Sequence, residues 1–196
     1  MRIISGKFKG RRINPPKNLP VRPTTDMSKE SLFNVLNNRY DFDEITVLDL
    51  FAGTGNVSYE FGSRGTESIT CVDEDPGCIR FIKQTASEFD FNISAIRSNV
   101  FSFLDKASES FDVIFADPPY HMEAEKLARI VSSVFDRSLI KEGGMLIIEH
   151  SRHAKLSGLP QYAFQKNYGG SVFSFFSNSA GQEDSETLDD EAEPES

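Results

Sequence analysis

The chain has no tryptophan, two cysteines and three histidines among its 196 residues. Two cysteines cannot build a disulfide framework. Cys71 and Cys78 fall on a predicted strand and a predicted helix, and read as reduced core thiols of a cytoplasmic protein. His121, His150 and His153 show no His-x-x-His or Cys/His spacing, so no metal site is expected. No run of about 18 apolar residues occurs, which excludes a predicted membrane helix. The start, Met1 to Lys7, has no apolar stretch of the signal-peptide kind. No internal repeat is visible.

What is present is unevenly spread. The net charge of −9 hides a basic end and an acidic end. Residues 1–39 carry nine Lys/Arg and two Asp/Glu, and residues 183–196 carry eight acids and no base. The basic stretch around Lys7-Phe8-Lys9-Gly10-Arg11-Arg12 has the composition of a polyanion-binding surface, although a charge cluster can equally be a solvated face. The acidic end is poor in aromatics and reads as a disordered tail. These contrasts divide the chain into a basic extension (1–39), a main domain (40–178) and a tail (179–196).

The main domain carries three motifs. Val47 to Leu50 is an apolar strand that runs into Phe51-Ala52-Gly53-Thr54-Gly55 and then a helix over 56–64. Strand, glycine turn and helix form the shape of a nucleotide-type cofactor site, because glycine lets the backbone approach a ligand closely. The third glycine of the dinucleotide pattern is missing, which disfavours NAD. The second motif is the strand 68–73, ending in Asp73 about 20 residues past the glycines, where such sites place a ribose-binding acid. Asp73 alone could equally cap the helix that begins near Pro76. The third is Asp117-Pro118-Pro119-Tyr120, at the end of the apolar strand 111–116. Asp117 offers a carboxylate, Pro118 a carbonyl without an N–H, and Tyr120 a ring for stacking. That corner suits the amino group of a nucleobase, though the same four residues could simply end a strand in a turn.

Periodicity predicts strands near 45–50, 68–73, 92–97, 111–116 and 143–149, with helices near 28–38, 56–64, 76–88, 100–106 and 122–137. Residues 2–13 suggest a short hairpin, and 162–168 with 171–177 a second one around Gly169-Gly170. Alternation of strands and helices implies an α/β fold with a mostly parallel sheet covered by helices on both faces. Right-handed crossovers then gather Asp49, Asp73, Asn99 and Asp117 at one sheet edge, where open sheets bind ligands.

Taken together, D-L-F-A-G-T-G, the acidic strand end and D-P-P-Y resemble class I methyltransferases that act on exocyclic amines. Met1 to Arg11, Arg22-Pro23-Thr24-Thr25-Asp26 and Glu30-Ser31-Leu32-Phe33-Asn34 are similar to the RsmD family, over roughly residues 1–178. The resemblance implies a Rossmann-like, seven-stranded fold with a C-terminal antiparallel hairpin and a small N-terminal hairpin and helix. It implies S-adenosylmethionine as cofactor and the N2 amine of a guanine in 16S rRNA of the small ribosomal subunit (position 966 in the family) as target. By the same resemblance, Asp49, Phe51, Ala52, Gly53, Gly55, Asp73, Glu74, Asn99 and Val100 bind the cofactor. Asp117, Pro118, Pro119 and Tyr120 form the catalytic corner. Arg2, Lys7, Lys9, Arg11, Arg12 and Arg22 meet RNA, and the chain acts as a monomer. It departs from the family at Met27-Ser28-Lys29, Thr85, Asn99 and Tyr168-Gly169-Gly170. The amide oxygen of Asn99 stands in for an acid near the adenine.

Other readings share parts of this pattern. An adenine-N6 DNA methyltransferase shares D-P-P-Y, but no inserted target-recognition region is present. A protein-glutamine methyltransferase would more usually carry Asn at position 117. A non-catalytic ribosome-assembly factor on the same fold would need neither the glycine loop nor Asp117. A Rossmann oxidoreductase lacks its third glycine.

Overall fold

The computed structural model describes residues 1–16, 19, 26–168 and 170–178. Arg22, Thr24, Thr25, Gly169 and the acidic tail therefore lie outside the described residues. The elements follow in the order α1 (Asp26–Asn37), β1 (Thr46–Leu50), α2 (Asn56–Ser63), β2 (Ser68–Asp73), α3 (Pro76–Phe89), β3 (Ile93–Arg97), α4 (Val100–Leu104), β4 (Phe111–Ala116), α5 (Ala124–Asp136), β5 (Ile140–Ser151), β6 (Tyr162–Tyr168) and β7 (Ser171–Phe176). They build one seven-stranded sheet in the order β3-β2-β1-β4-β5-β7-β6. The first five strands pair in parallel, and β7 runs antiparallel to β5 and β6. This is the Rossmann-like sheet with a terminal hairpin that the sequence implies.

The central strands read as nearly continuous apolar runs because both sheet faces are covered. Alternate residues feed two separate cores. Val47, Val113, Phe115, Met145 and Ile147 join one cluster with Leu32, Phe33 and Leu36 of α1 and Ile79 and Ile82 of α3. Leu48, Leu50, Ile114, Ala116, Leu146 and Ile148 join the other, with Leu104 of α4 and Leu127, Ile130 and Val134 of α5. The strand order reverses between β1 and β4, so the crevice of an open α/β sheet lies between the ends of those two strands.

Three predicted features differ from the structure for local reasons. β5 starts at Ile140 rather than 143, with a register shift opposite Phe111 to Val113. Gly143 and Gly144, the first residues of the predicted strand, form the irregularity itself. Gly143 has φ +75°, and a Cβ on Gly144 would lie 2.8 Å from the Asp112 carbonyl oxygen. The expected N-terminal hairpin is reduced to an isolated antiparallel bridge, Arg2 to Arg12, because Gly6 (φ +78°) and Gly10 (φ +84°) turn the chain out of a ladder. The cap of α3 is Asp75, whose carboxylate accepts from the backbone N–H of Gly77 and Cys78 at 2.8 Å each, so Asp73 does not perform that role.

The N-terminal arm is docked rather than appended. Glu60 of α2 is fully buried and accepts the backbone N–H groups of Ile4 (2.8 Å) and Ser5 (2.9 Å). Its carboxylate also meets Lys29 Nζ at 3.3 Å and Arg64 Nε at 3.1 Å. Lys29, also buried, donates to the Arg2 carbonyl at 2.6 Å and to Asn56 Oδ1 at 2.9 Å. Burial holds its pKa below the usual lysine value, with Glu60 pulling the other way. Gly6 packs against the end of α2 so closely that a Cβ would fall 1.8 Å from the Ser63 carbonyl oxygen. Phe8 completes the seal, edge-on to Phe89 and Phe91 at 5.1 and 5.3 Å.

Candidate active site

A cavity of about 760 Å³ opens at the C-terminal edge of the sheet. The loop after β1 forms its floor. Phe51 (φ +59°), Gly53 (φ +54°) and Gly55 (φ +80°) turn left-handed within five residues. A non-glycine residue in that region stores strain of about 1–3 kcal/mol, which the surrounding packing must offset. Ala52 N–H bonds the Val72 carbonyl at 3.1 Å and Gly55 N–H the Ala52 carbonyl at 2.7 Å, so the loop is fixed from both ends. A Cβ on Gly55 would approach the Tyr59 ring to 2.8 Å, so no side chain fits where the loop enters α2.

Asp73 stands at the end of β2 and accepts Gly53 N–H on one oxygen and Asp75 N–H on the other, each at 2.8 Å. A carboxylate has about four acceptor positions, so two remain for a pair of hydroxyls. Burial raises its pKa, while the two backbone donors act against that rise. Next along the wall, Asn99 caps α4. Its amide oxygen accepts Phe101 N–H at 3.1 Å and Ser102 N–H at 3.4 Å. The oxygen expected to meet an adenine amine is thus already engaged, and its amide nitrogen points to Glu74 Oε2 at 3.4 Å. Val100 and Phe101 supply an apolar surface beside it.

Across the switch point, Asp117 N–H bonds the Leu50 carbonyl at 3.3 Å, tying the Asp117 to Tyr120 corner to the end of β1. Met122 N–H bonds the Pro119 carbonyl at 2.8 Å and closes the turn after it. Tyr120 is 49% exposed, with its ring edge-on to His121 at 5.5 Å.

The cavity therefore brings together Phe51, Ala52, Gly53, Asp73, Glu74, Asn99, Val100 and the four corner residues. It leaves out Gly55 and Asp49. Asp49 is 2% exposed and lies beneath the loop, where Ser58 Oγ donates to it at 2.5 Å. Burial pushes its pKa up to about 7, against the Ser58 bond. Met1, Pro15, Asn56, Glu149, His150 and Ser151 also line the cavity and are absent from the sequence-derived set. Glu149 to Ser151 were within reach of that reading, because β5 ends on the same edge as β4. Of the expected RNA-binding residues, Lys7, Lys9, Arg11 and Arg12 are exposed on the arm. Lys7 lies over the Phe8 ring and Arg11 over Phe89. Arg2 is paired with Asp26 at 3.0 Å on the surface.

The charges of the cavity decide what it can hold. Asp73, Glu74, Asp75, Asp117 and Glu149 border it, while Lys126 is the only lysine or arginine among its described lining residues. Such walls repel a pyrophosphate and attract a cation. A cofactor with two vicinal hydroxyls, a planar ring and a positive sulfonium fits this donor set, and a dinucleotide does not.

Comparisons with known proteins agree with the geometry. The family model described as conserved hypothetical protein 95 matches residues 1–177. Ribosomal RNA small subunit methyltransferase D of Buchnera aphidicola (strain Bp) is 32% identical over 150 residues, covering 76% of this chain and 75% of that one. Among solved structures, a hypothetical protein of Thermus thermophilus superposes with a TM-score of 0.77 at 28% identity, over 90% of this chain and 98% of that one. The Thermus thermophilus 16S rRNA N2 G1207 methyltransferase, solved with AdoMet and guanosine, shares the fold at a TM-score of 0.64 and 18% identity, over 81% of this chain and 44% of that one.

Proposed function

The chain belongs to the family described as conserved hypothetical protein 95, of RsmD-type S-adenosylmethionine-dependent methyltransferases, and we propose that it methylates the exocyclic N2 amine of a guanine in small-subunit ribosomal RNA. The observation that carries this reading is the sharing of one acidic cavity by the Asp73 cradle and the Asp117-Pro118-Pro119-Tyr120 corner. The family's position, guanine 966 of 16S rRNA, is the target we assign, with a single chain as the working unit.

Bound S-adenosylmethionine would supply an electrophilic methyl group on a positively charged sulfur. Asp73 is the residue to take its ribose hydroxyls. Phe51, Ala52 and Gly53 would underlie its methionine part, and Val100 and Phe101 would flank its adenine. The target guanine must leave its stack to reach this depth, as base-modifying enzymes require. Tyr120 would then stack on it. Asp117 and the Pro118 carbonyl would accept the two N2 hydrogens. The N2 lone pair is conjugated with the ring and is a weak nucleophile. Two acceptors that draw its hydrogens out of plane weaken that conjugation and aim the lone pair at the methyl carbon. As the new C–N bond formed, the methyl C–S bond would break to leave a neutral thioether, and one N2 proton would pass to Asp117. Catalysis is then placement plus electrostatics, without a nucleophilic side chain.

The arm would hold RNA through phosphate contacts from Arg2, Lys7, Lys9, Arg11 and Arg12, with Arg22 outside the described residues. The test is methyl transfer from labelled S-adenosylmethionine to small ribosomal subunits lacking the modification, followed by nucleoside analysis. N2-methylguanosine at one position is the expected product, and Asp117→Ala should lower its rate about 100- to 1,000-fold while cofactor binding persists. Near-normal turnover in that variant would remove Asp117 from the mechanism. Methyl-adenosine as the product would refute the guanine reading.

A further inference from the structure

We propose that Glu149 is the base-reading residue of this site: it accepts the N1–H of the target guanine beside Asp117, and so selects guanine over adenine and cytosine. The inference rests on the guanine-N2 reading above and goes beyond it by naming what enforces it.

β4 and β5 are parallel neighbours, with Phe115 opposite Ile147 and Ala116 opposite Ile148. Asp117 and Glu149 each follow the last paired position, Ala116 opposite Ile148, and a ladder continued by one step would set them about 4.8 Å apart. Alternation carried one step further would put the two side chains on one sheet face. Phe115 and Ile147 both enter the α1-side core, whereas Ala116 and Ile148 both enter the opposite core. Asp117 and Glu149 continue the first pair, and both line the cavity. The neighbouring His150 has both ring nitrogens engaged, with Nε2 2.8 Å from Ser174 Oγ and Nδ1 2.9 Å from the Ser151 carbonyl. The cavity wall thus carries two carboxyl groups, and a carboxylate oxygen accepts hydrogen bonds.

Guanine is the base that answers this pattern. Its 2-amine is flanked by a ring N–H, so two donors stand next to each other. The 6-amine of adenine and the 4-amine of cytosine are each flanked by a ring nitrogen with a bare lone pair. With the amine held by Asp117, either base would turn that lone pair towards Glu149. A site built around a hydrogen bond rejects the analogue that cannot make it, because a buried polar group is left unanswered.

The deciding substrate keeps the 2-amine and changes its neighbour's polarity. In 2-aminopurine the N1 position is a bare acceptor. Small subunits reconstituted with 16S rRNA carrying guanine or 2-aminopurine at the target position are compared by kcat/KM for the full-length enzyme and for Glu149→Gln, whose amide can donate as well as accept. The wild type should favour guanine. Glu149→Gln should lower guanine turnover about 100-fold and reduce the guanine preference at least about tenfold. Since 2-aminopurine also lacks O6, the change in preference between the two enzymes is the quantity read, and the missing O6 cancels. Glu149→Asp, which keeps the carboxylate but shortens its reach, should slow guanine turnover with the preference retained; it stands in if the glutamine variant fails to fold. A Glu149→Gln enzyme with wild-type preference, or a Glu149→Asp enzyme that loses the preference, overturns the assignment and leaves the guanine-N2 reading standing. A wild-type enzyme that puts no methyl on guanine N2 overturns both.

Discussion

Two regions border the cavity, and they are held by different means. The sheet edge is fixed chiefly by main chain: parallel ladders, Ala52 N–H on Val72 and Asp117 N–H on Leu50, with the Asp73 carboxylate bridging Gly53 and Asp75. Its acidic side chains project from an already rigid frame. The arm forms no ladder among the described residues beyond the bridge Arg2 to Arg12 and a few main-chain bonds such as Ile3 N–H on Arg11, and it is hung on the domain by Lys7 N–H on the Ser63 carbonyl and by side chains, chiefly Glu60 and Ser63. The difference teaches where mutation does its damage. At the sheet edge, removing an acid should remove chemistry and spare the fold. At the arm, removing one buried acid should loosen the fold and spare the chemistry's own groups.

The largest effect follows from Glu60→Ala, which leaves Lys29 and Arg64 without their shared carboxylate and Ile4 and Ser5 without an acceptor. Breaking such a buried pair costs about 3–5 kcal/mol, read by urea unfolding. Hydrogen exchange at Ile4 and Ser5 should accelerate, and RNA affinity should fall further than cofactor affinity. Equal losses of the two would break the comparison.

A second test uses pH on the sheet side. Asp49 gives up its proton near 3.8 when unfolded and near 7 when folded, because burial penalises the charge. Between those values the folded chain holds the extra proton, so this residue's contribution to stability falls as pH rises through the window. Above it the cost is fully present, about 4 kcal/mol at most. Asp49→Asn should flatten the wild-type slope between about pH 4 and 7 in unfolding experiments. An unchanged slope would mean that Asp49 is ionised and solvated in the fold.

Gly6→Ala is the smaller structural probe of the arm. Its φ of +78° and the Ser63 carbonyl 1.8 Å from the added Cβ force the arm to shift. A loss of about 1–3 kcal/mol is expected, with weaker RNA binding. Wild-type stability would show an arm that rests on the domain instead of docking. Smallest are Arg11→Ala and Arg12→Ala, each expected to lower the salt slope of RNA binding by about one and to leave the unfolding midpoint near wild type. Unchanged slopes would remove the arm from the RNA surface.

The same contrast explains what could be read from sequence. The sheet edge was legible because apolar runs, glycines at a strand end and acids after strands are local patterns with local causes. The two-carboxylate edge was only half legible. Asp117 sits in a recognisable tetrapeptide, while Glu149 sits inside Ile148-Glu149-His150, which marks nothing until β5 is laid beside β4. The arm's anchor was not legible. Lys29 looks like a surface lysine of α1, and its partner Glu60 lies 31 positions away on α2. The predicted strand 143–149 caught β5 only from Gly143 on, because Ile140 to Glu142 precede the irregularity in the strand pair.

Helix α2 has a role at each end. Asn56, its first residue, borders the cavity and receives a bond from Lys29, while Glu60 and Ser63 hold the arm. At eight residues it is a rod about 12 Å long, too short to bend. A displacement of the arm would thus reach the loop after β1, as a lever transmits force, and on the proposed roles RNA held by the one would act on cofactor held by the other. Thermodynamic reciprocity then applies: whatever factor bound RNA adds to cofactor affinity, bound cofactor must add to RNA affinity.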